Sequence, residues 1–221
     1  MHEMRELGGV DVNQIEVSRI DALLFDMGGV VVSVHPNRVF EHWSRASGID
    51  TSIFVPKWSI ERYYKEYETG KCTFRELACA LEEQLGISMD LEDWRTGWNA
   101  LVGKAIPDVF ELVNRLAEVR PAYCYTNSNP EHESIWGSRL REELEVFREV
   151  FNSSTTGLRK PDAEAFVDVA DRMNCPPKSV LFLDDNRLNV EGAKECGMQG
   201  AHVANRKSTV GILKWLLQAI A

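Results

Sequence analysis

Six polar residues of this chain stand next to apolar segments, and their types could do chemistry together. They are Asp26 after "ALLF", Thr126 and Asn127 at the end of "AYCYTN", Lys160 in "LRKPD", and Asp184 and Asp185 after "VLFL". Carboxylates from two segments make a hard oxygen site of the kind that suits Mg²⁺. A carboxylate can also attack phosphorus, and the charge on the transferred phosphoryl oxygens then needs hydroxyl, amide and cationic donors. The set therefore predicts phosphoryl chemistry with Asp26 as the nucleophile.

The positions of these residues, more than their types, favour a common site. Each one alone would be interpreted as a helix cap or a surface charge. The carboxyl ends of parallel strands, however, meet at one edge of a doubly wound sheet, and ligands bind beyond that edge. We therefore expect Thr126, Asn127 and Lys160 to bind a phosphoryl group there. The acids would surround the metal ion, and Lys160 would relieve the repulsion between Asp26 and Asp185.

Four short apolar segments must position this site, and they are predicted to be buried strands of a parallel sheet. They are "ALLFD" to Asp26, "AYCYT" to Thr126, "VLFLDD" to Asp185 and "GAHVA" to Ala204, with "EVFNS" near residue 150 as a weaker fifth. Helical periodicity lies between and after them, in "PDVFELVNRLAEV", "PDAEAFVDVADRM", "NVEGAKECG" and "TVGILKWLLQAI". Strands that alternate with helices predict an α/β, doubly wound, Rossmann-like domain.

Residues 36–104 interrupt this alternation with several helical segments and no convincing strand. Thr73 and Glu76 have the spacing of a capping box, which predicts a helix that starts at "TFRE". We interpret the stretch as a small all-helical insertion after the first strand. Most of its large aromatic residues are predicted to form its own core: Trp43, Trp58, Tyr63, Tyr64 and Trp94. The predicted division is a loose polar extension at 1–19, a Rossmann-like core at 20–35 and 105–221, and the helical insertion at 36–104.

Charge and composition restrict the function classes. The formal net charge is -9 at pH 7, which argues against nonspecific binding to nucleic acid or to an anionic membrane surface. No run approaches the length of a membrane span, and the first residues lack the apolar centre of a signal peptide. The five cysteines form no Cys-x-x-Cys pair, so neither a zinc site nor a disulfide framework is indicated. We expect a reduced, cytoplasmic protein that is a monomer or a homodimer.

The segments that carry these residues resemble the four motifs of the haloacid dehalogenase (HAD) superfamily of hydrolases, from about residue 20 to the end. They are "FDMGGVVV", "YCYTNSN", "GLRKPD" and "LFLDDNRLNVEGA", in matching order and approximate spacing. The resemblance implies that Asp26 is the nucleophile, Thr126 the phosphate-binding hydroxyl and Lys160 the clamping lysine. It also implies that Asp185 binds Mg²⁺, with Asp184 as an outer or water-mediated partner.

Neighbouring positions carry further implications of the resemblance. The backbone carbonyl of Gly28 would be a metal ligand, and Gly29 and Asn127 would contribute to substrate binding. Asn189 falls where many members of the superfamily have a further acid.

A narrower resemblance concerns substrate choice. "FDMGGVVVSVHPNRVFEHW", "YETGKCTFREL" and "RKPDAEAF" look like the branch that contains bacterial sugar-1-phosphate phosphatases and the N-terminal domains of epoxide hydrolases. In that branch the helical insertion is a cap that covers the site. The segment Glu68 to Gly70 and the parts of the cap near Arg38 and Trp98 are then implied to influence the choice of substrate.

One position departs from the superfamily pattern. Most of its phosphatases have a second aspartate two residues after the nucleophile, as general acid and base, where this chain has Gly28. Such proton transfer typically contributes about 10²–10⁴-fold in rate. Three explanations stay open: a leaving group that needs little protonation, such as an anomeric or acyl phosphate; a replacement acid, His35 or less favourably His132; or an impaired enzyme. For His35 an ordinary turn position next to Pro36 is favoured over a catalytic role.

The leading prediction is a Mg²⁺-dependent phosphomonoester hydrolase that forms an aspartyl-phosphate. Its substrate would be a small phosphorylated metabolite, because a cap must close over it, and a sugar phosphate by resemblance. Phosphoryl transfer or mutase activity would use the same intermediate with an acceptor other than water. Metal-free dehalogenation is disfavoured by the paired Asp184 and Asp185. A catalytically silent scaffold, suggested by Gly28, is disfavoured because the other predicted catalytic residues are all present.

Overall fold

A five-stranded parallel sheet forms the centre of the protein in this computed structural model, which describes residues 6–7, 10–56 and 61–220. The strands are β1 (Glu6–Leu7), β2 (Val10–Asp11), β3 (Ala22–Phe25), β4 (Val32–Val34), β5 (Val102–Ala105), β6 (Ala122–Thr126), β7 (Val150–Asn152), β8 (Val180–Asp184) and β9 (Gln199–His202). The central sheet has the order β7-β6-β3-β8-β9, and every neighbouring pair is parallel. The predicted doubly wound α/β fold is confirmed, and β7 is the weaker fifth strand.

Helices lie between the strands of this sheet and in the insertion. They are α1 (Pro36–Ser47), α2 (Thr51–Phe54), α3 (Glu61–Glu68), α4 (Phe74–Leu85), α5 (Leu91–Asn99), α6 (Pro107–Ala117), α7 (Pro130–Arg139), α8 (Arg141–Leu144), α9 (Ser153–Thr156), α10 (Ala163–Arg172), α11 (Arg187–Glu195) and α12 (Arg206–Ile220). The predicted capping box starts α4: the Thr73 hydroxyl accepts from the Glu76 N–H, and the Glu76 carboxylate accepts from the Thr73 N–H. Within the described residues, every helix is too short or too polar to cross a bilayer.

The central strand β3 is buried on both faces. Side chains alternate along a strand, so Leu23 and Phe25 join one apolar cluster with residues of α6 and α12. Ala22 and Leu24 join a second cluster with residues of α10 and α11. Burial on both faces explains why β3 has a continuous apolar sequence, and it fixes the position of the residue that follows, Asp26.

The helices α1 to α5, called the cap below, have an apolar core of their own. Trp43 and Trp94 are buried at its centre, and Tyr63 and Tyr64 are partly buried against it. These positions agree with the prediction for the aromatic residues, while Trp58 lies outside the described residues.

A two-stranded antiparallel sheet, called the flap below, joins the cap to the core. It pairs β4 with β5, with Val34 opposite Val102 and Val32 opposite Ala105. The sequence analysis found no convincing strand in residues 36–104, and β5 corrects that interpretation. The partner of β4 lies beyond the whole cap, and a local sequence pattern carries no signal for a pairing over that separation.

Residues 10–19 pack against the core, which corrects their interpretation as a loose extension. Val10, Val12 and Ile15 are buried in the cluster that contains β3. The Glu16 N–H donates to Gln199 Oε1 at 2.7 Å, and Gln199 Nε2 donates to the Glu16 carbonyl at 3.2 Å. The spacing of the three apolar residues follows neither a helical nor a strand period, so the pattern gave no sign of burial. Residues 1–5 and 8–9 of the predicted extension lie outside the described part of the chain.

Candidate active site

Three neighbouring strands end at the same edge of the sheet and bring the predicted residues together. Asp26 follows β3, Thr126 is the last residue of β6, and Asp184 is the last residue of β8. The Asp26 N–H donates to the Leu183 carbonyl at 2.8 Å, which continues the ladder between β3 and β8. Asp26 and Thr126 are buried, with 8% and 6% of their surface exposed.

Lys160 lies at the centre of this edge as a buried cation. Its Nζ donates to Asp26 Oδ1 at 2.5 Å, to the Tyr125 carbonyl at 2.8 Å and to Asp184 Oδ2 at 2.9 Å. The rings of Tyr125 and Phe182 lie 5.1 and 5.2 Å from Nζ. Burial alone would lower the pKa of Lys160, but the neighbouring Asp184 and Asp26 outweigh it and hold that pKa above its ordinary value. The ammonium group is therefore charged and held in one place.

Asn127 holds the backbone of Lys160. Its Nδ2 donates to the Lys160 carbonyl at 2.9 Å, and its Oδ1 accepts from the Lys160 N–H at 2.9 Å. The amide that the sequence analysis assigned to the phosphoryl group is thus engaged in positioning the lysine. The hydroxyl of Thr126, by contrast, makes only a 3.5 Å contact with the Asn127 carbonyl and is available to a ligand.

The acids form a compact cluster with different roles. Asp26, Asp184 and Asp185 each offer an oxygen, and these oxygens lie within 4.8 Å of one another. Asp184 is fully buried; its Oδ1 accepts from the Asn186 N–H at 2.7 Å, and its Oδ2 accepts from Asn189 Nδ2 at 3.0 Å as well as from Lys160. Asn189 stands where many members of the superfamily that this chain resembles have an acid. Here its amide stabilises Asp184 by donating a hydrogen bond to the carboxylate. Asp185 is exposed.

The environment of the cluster favours a bound cation. Burial raises the pKa of Asp26 to about 8, opposed by Lys160 and reinforced by Asp184 and Asp185. Burial and the charge of Asp184 raise the pKa of Asp185 to about 6. Three carboxylates face one ammonium group, so a divalent cation would balance the excess negative charge and lower both pKa values. The Asp185 carboxylate also lies directly against Gly29, in the space that a side chain would need. A Cβ on Gly29, whose φ is 82°, would lie 2.1 Å from Asp185 Oδ2.

The flap side of the cavity next to Gly28 is apolar, and Thr126, Asn127, Ser128 and His132 also line this cavity. A cavity of about 80 Å³ lies between Gly28, Thr126 and the flap, and its other lining residues include Val34, Val102 and Trp136. A Cβ on Gly28 would lie 3.2 Å from Val34 Cγ1, so a side chain at this position would require only a small shift of the valine. The flap therefore places hydrocarbon next to Gly28.

Neither histidine considered as a replacement acid fits that role. His132 is buried, its Nε2 donates to the Trp98 carbonyl at 3.0 Å, and its Nδ1 accepts from Asn129 Nδ2 at 3.0 Å. Burial lowers the pKa of His132 to about 4, so the ring is neutral and both nitrogens are occupied. His35 precedes α1, and its Nε2 lies 2.7 Å from the point where Gly103 would carry a Cβ. It does not line the cavity beside Gly28.

The resemblance implied that the parts of the cap near Trp98 and Arg38 influence substrate choice, and these two residues have different surroundings. Trp98 stacks on the His132 ring with centroids 5.3 Å apart and donates to Asn129 Oδ1 at 3.3 Å. Arg38 is exposed and lines a different groove. Neither residue lines the cavity beside Gly28.

A buried ion pair that the sequence analysis missed joins the cap to the loop of Lys160. Arg159 donates from Nε and Nη2 to Glu68 Oε2, at 3.0 and 2.7 Å, and the two side chains are 16% and 5% exposed. Tyr64 hydrogen-bonds to the same carboxylate. Gly70 lies so close to the core that a Cβ would be 2.8 Å from the Ser154 carbonyl. No spacing connects residue 68 with residue 159, and the position of Arg159 beside Lys160 was the only available signal.

Comparisons with known proteins show the family to which the chain is similar and the fold that it shares with solved structures. The model of the haloacid dehalogenase-like hydrolase family matches residues 20–197. The sesquiterpene phosphatase astK of Aspergillus oryzae is 25% identical over 89% of this chain and 96% of its own length. A D-ribitol-5-phosphate phosphatase of Bacteroides thetaiotaomicron is 22% identical over 81% of this chain and 90% of its own. A crystal structure of a HAD family enzyme from that bacterium, in complex with magnesium and inorganic phosphate, superposes with a TM-score of 0.70 at 22% identity and covers 83% of this chain and 93% of that one.

Proposed function

The chain belongs to the haloacid dehalogenase-like hydrolases, and from that premise we propose that it is a Mg²⁺-dependent phosphomonoesterase that works through an aspartyl-phosphate on Asp26. The observation that carries the proposal is the buried Lys160, held between Asp26 and Asp184 at the same strand edge at which Thr126 ends β6. The relatives named as phosphatases support the same reaction class.

In the proposed reaction, Asp26 attacks phosphorus and the bond from phosphorus to the leaving oxygen breaks. The Thr126 hydroxyl donates to a phosphoryl oxygen, and Lys160 stabilises the phosphoryl charge electrostatically. Its three N–H groups are already held by Asp26, the Tyr125 carbonyl and Asp184, so the positive charge stays in one place as the reaction proceeds. Water then attacks the aspartyl-phosphate, which releases phosphate and restores the carboxylate. The leaving oxygen receives its proton from solvent.

Asp26, Asp185 and the Gly28 carbonyl would hold the metal ion, and Asp184 would anchor Lys160 instead. This assignment rests on hydrogen bonding, because both oxygens of Asp184 already accept from protein groups while Asp185 is exposed. Oxygen donors in this number suit Mg²⁺. The bound ion would supply positive charge that keeps Asp26 ionised near neutral pH and offsets the charge of the phosphate.

The apolar wall beside Gly28 bears on the substrate. A poor leaving group needs a proton as it departs, and that wall carries no acid among the described residues. We therefore infer a small phosphorylated metabolite with a weakly basic leaving oxygen, such as an anomeric sugar phosphate or an acyl phosphate. Among the sugar phosphates that the resemblance suggested, this inference favours those with the phosphate on the anomeric carbon.

The cellular setting is part of the proposal. The five cysteines are all unpaired, as expected in a reducing compartment, which supports a cytoplasmic location. The proposed partner is the small substrate alone.

Phosphate release from a panel of esters tests these assignments. Sugar 1-phosphates, sugar 6-phosphates, an acyl phosphate and an activated aryl phosphate would be assayed with Mg²⁺ and with EDTA. We expect metal-dependent release that favours the anomeric, acyl and aryl substrates. Asp26→Asn should abolish it, and Asp171→Asn, on the exposed face of α10, should not. If no ester is hydrolysed, the proposal fails; equal rates for both sugar phosphates would refute only the substrate inference.

A further inference from the structure

We propose that a groove at the seam between the cap and the core binds a small organic anion with an apolar portion. The groove has a volume of about 690 Å³, within the range of small-molecule sites. It contains none of the predicted catalytic or metal-binding residues, and the proposal does not depend on the hydrolytic mechanism.

Three cations line this groove without an ion-pair partner among the residues that the structure describes. Arg38 comes from α1, Lys104 from β5 and Arg139 from the end of α7. Some exposed arginines have acidic partners, as Arg187 has in Glu191, and others, such as Arg141, have none among the described residues; what distinguishes these three cations is that they line one concave surface. In a chain of net charge -9, three cations without counterions around one concave surface form a local region of positive potential.

One acid also lines the groove. Glu143 belongs to α8 and is not within ion-pair distance of any of the three cations. The lining therefore keeps an excess of two positive charges, which suits a phosphate, a sulfonate or a pair of carboxylates.

The remaining lining of the groove is apolar. Val102, Phe110 and Leu140 belong to the core cluster and are 9%, 5% and 3% exposed. A fully hydrated inorganic ion would gain nothing from these side chains, whereas an organic anion would bury its hydrocarbon against them. The cations at the margin of the groove would bind the anionic group of the ligand, and the hydrocarbon below them would contact its apolar portion.

A second cavity of about 440 Å³ adjoins the groove and shares Arg38, Val102 and Arg139 with it. Asn99, at the end of α5, also lines this cavity, and its Oδ1 is buried without a hydrogen-bond partner. Arg38 and Asn99 belong to the cap, and Arg139 belongs to the core. A ligand here would contact both, and Val102 lines this cavity as well as the cavity beside Gly28.

Binding of 8-anilino-1-naphthalenesulfonate, a sulfonate with an apolar ring system, tests the proposal by its fluorescence. We expect saturable binding of one molecule to the folded protein, weakened by added salt. Arg139→Glu should weaken it about tenfold, because it removes an attraction and adds a repulsion. Arg141→Glu is the matched control, since Arg141 is exposed, has no ion pair with any described residue and does not line the groove.

Three results would overturn the proposal: no saturable binding, an equal effect of the two substitutions, or binding that is insensitive to salt. Circular dichroism and thermal unfolding would establish that each variant is folded. If Arg139→Glu does not fold, Lys104→Glu carries the same charge change from β5 and should give the same tenfold loss.

Discussion

The ion pair between Glu68 and Arg159 is predicted to be energetically coupled, because it is buried where the cap meets the core. The perturbation is a double-mutant cycle of Glu68→Gln, Arg159→Met and both together. A hydrogen bond to a charged group contributes about 1.5–3 kcal/mol, and removal of one partner of a buried pair costs about 3–5 kcal/mol. The Arg159 side chain is 16% exposed, so water relieves part of the cost of leaving it unpaired.

From these values we expect Glu68→Gln to lower the free energy of unfolding by about 3 kcal/mol. Arg159→Met should cost about 2 kcal/mol, because burial raises the pKa of Glu68 and the unpaired carboxyl can take up a proton. The double variant should lose about 3 kcal/mol rather than 5, which gives a coupling of about 2 kcal/mol.

Urea unfolding of the four proteins measures this coupling, and the pair Arg187 and Glu191 is the control. That pair has a similar distance, 2.8 Å, but its side chains are 78% and 49% exposed. We expect its coupling to be below about 0.5 kcal/mol. Arg159 directly precedes Lys160, so the loss of its partner Glu68 should also disturb the position of the lysine. We therefore expect Glu68→Gln to raise KM for the phosphate ester. A coupling at Glu68 and Arg159 no larger than in the control pair would refute the argument from burial.

Three further predictions concern single residues. Gly29→Ala should weaken activation by Mg²⁺ more than tenfold, because its Cβ must displace Asp185; Gly157→Ala, with a φ of 74° and open space around it, controls for backbone strain alone. The contribution of His132 to the unfolding free energy should fall by about 3 kcal/mol between pH 6.5 and 4, because its ring stays neutral when folded while the unfolded chain takes up a proton. Carboxyls with raised pKa values, such as Asp26, act in the opposite direction, so this contribution is measured as the difference between the pH profiles of the wild type and His132→Gln, and identical profiles would contradict the assignment. Asn127→Ala should lower kcat at least tenfold by releasing the backbone of Lys160, and an unchanged kcat would show that the lysine needs no such support.

The sheet and its functional edge were predictable because both depend on local patterns. A strand buried on two faces must be apolar along its whole length, so β3, β6 and β8 could be read from single segments. Parallel strands present their carboxyl ends at one edge, so the residues that follow them had to meet. The convergence of Asp26, Thr126 and Asp184 follows from these two facts.

Contacts between distant segments were not predictable in this way. The pairing of β4 with β5 and the ion pair of Glu68 with Arg159 each join segments separated by most of the cap or more. Asn127 was assigned to the ligand because its type and position suited that role. The direction of its amide depends on the loop of Lys160, which comes from elsewhere in the chain.

The sequence by itself determined the fold class, the edge at which the site lies and the residue types available there. Those features follow from periodicity and from the chemistry of individual side chains, which each segment carries within itself. Only the tertiary structure decided which groups are free to act. Asp184, Asn127 and His132 have their hydrogen-bonding capacity taken up by other parts of the protein, while Thr126 and Asp185 do not. Whether a polar group has a partner depends on atoms that are distant in sequence, and only the folded chain brings those atoms within reach.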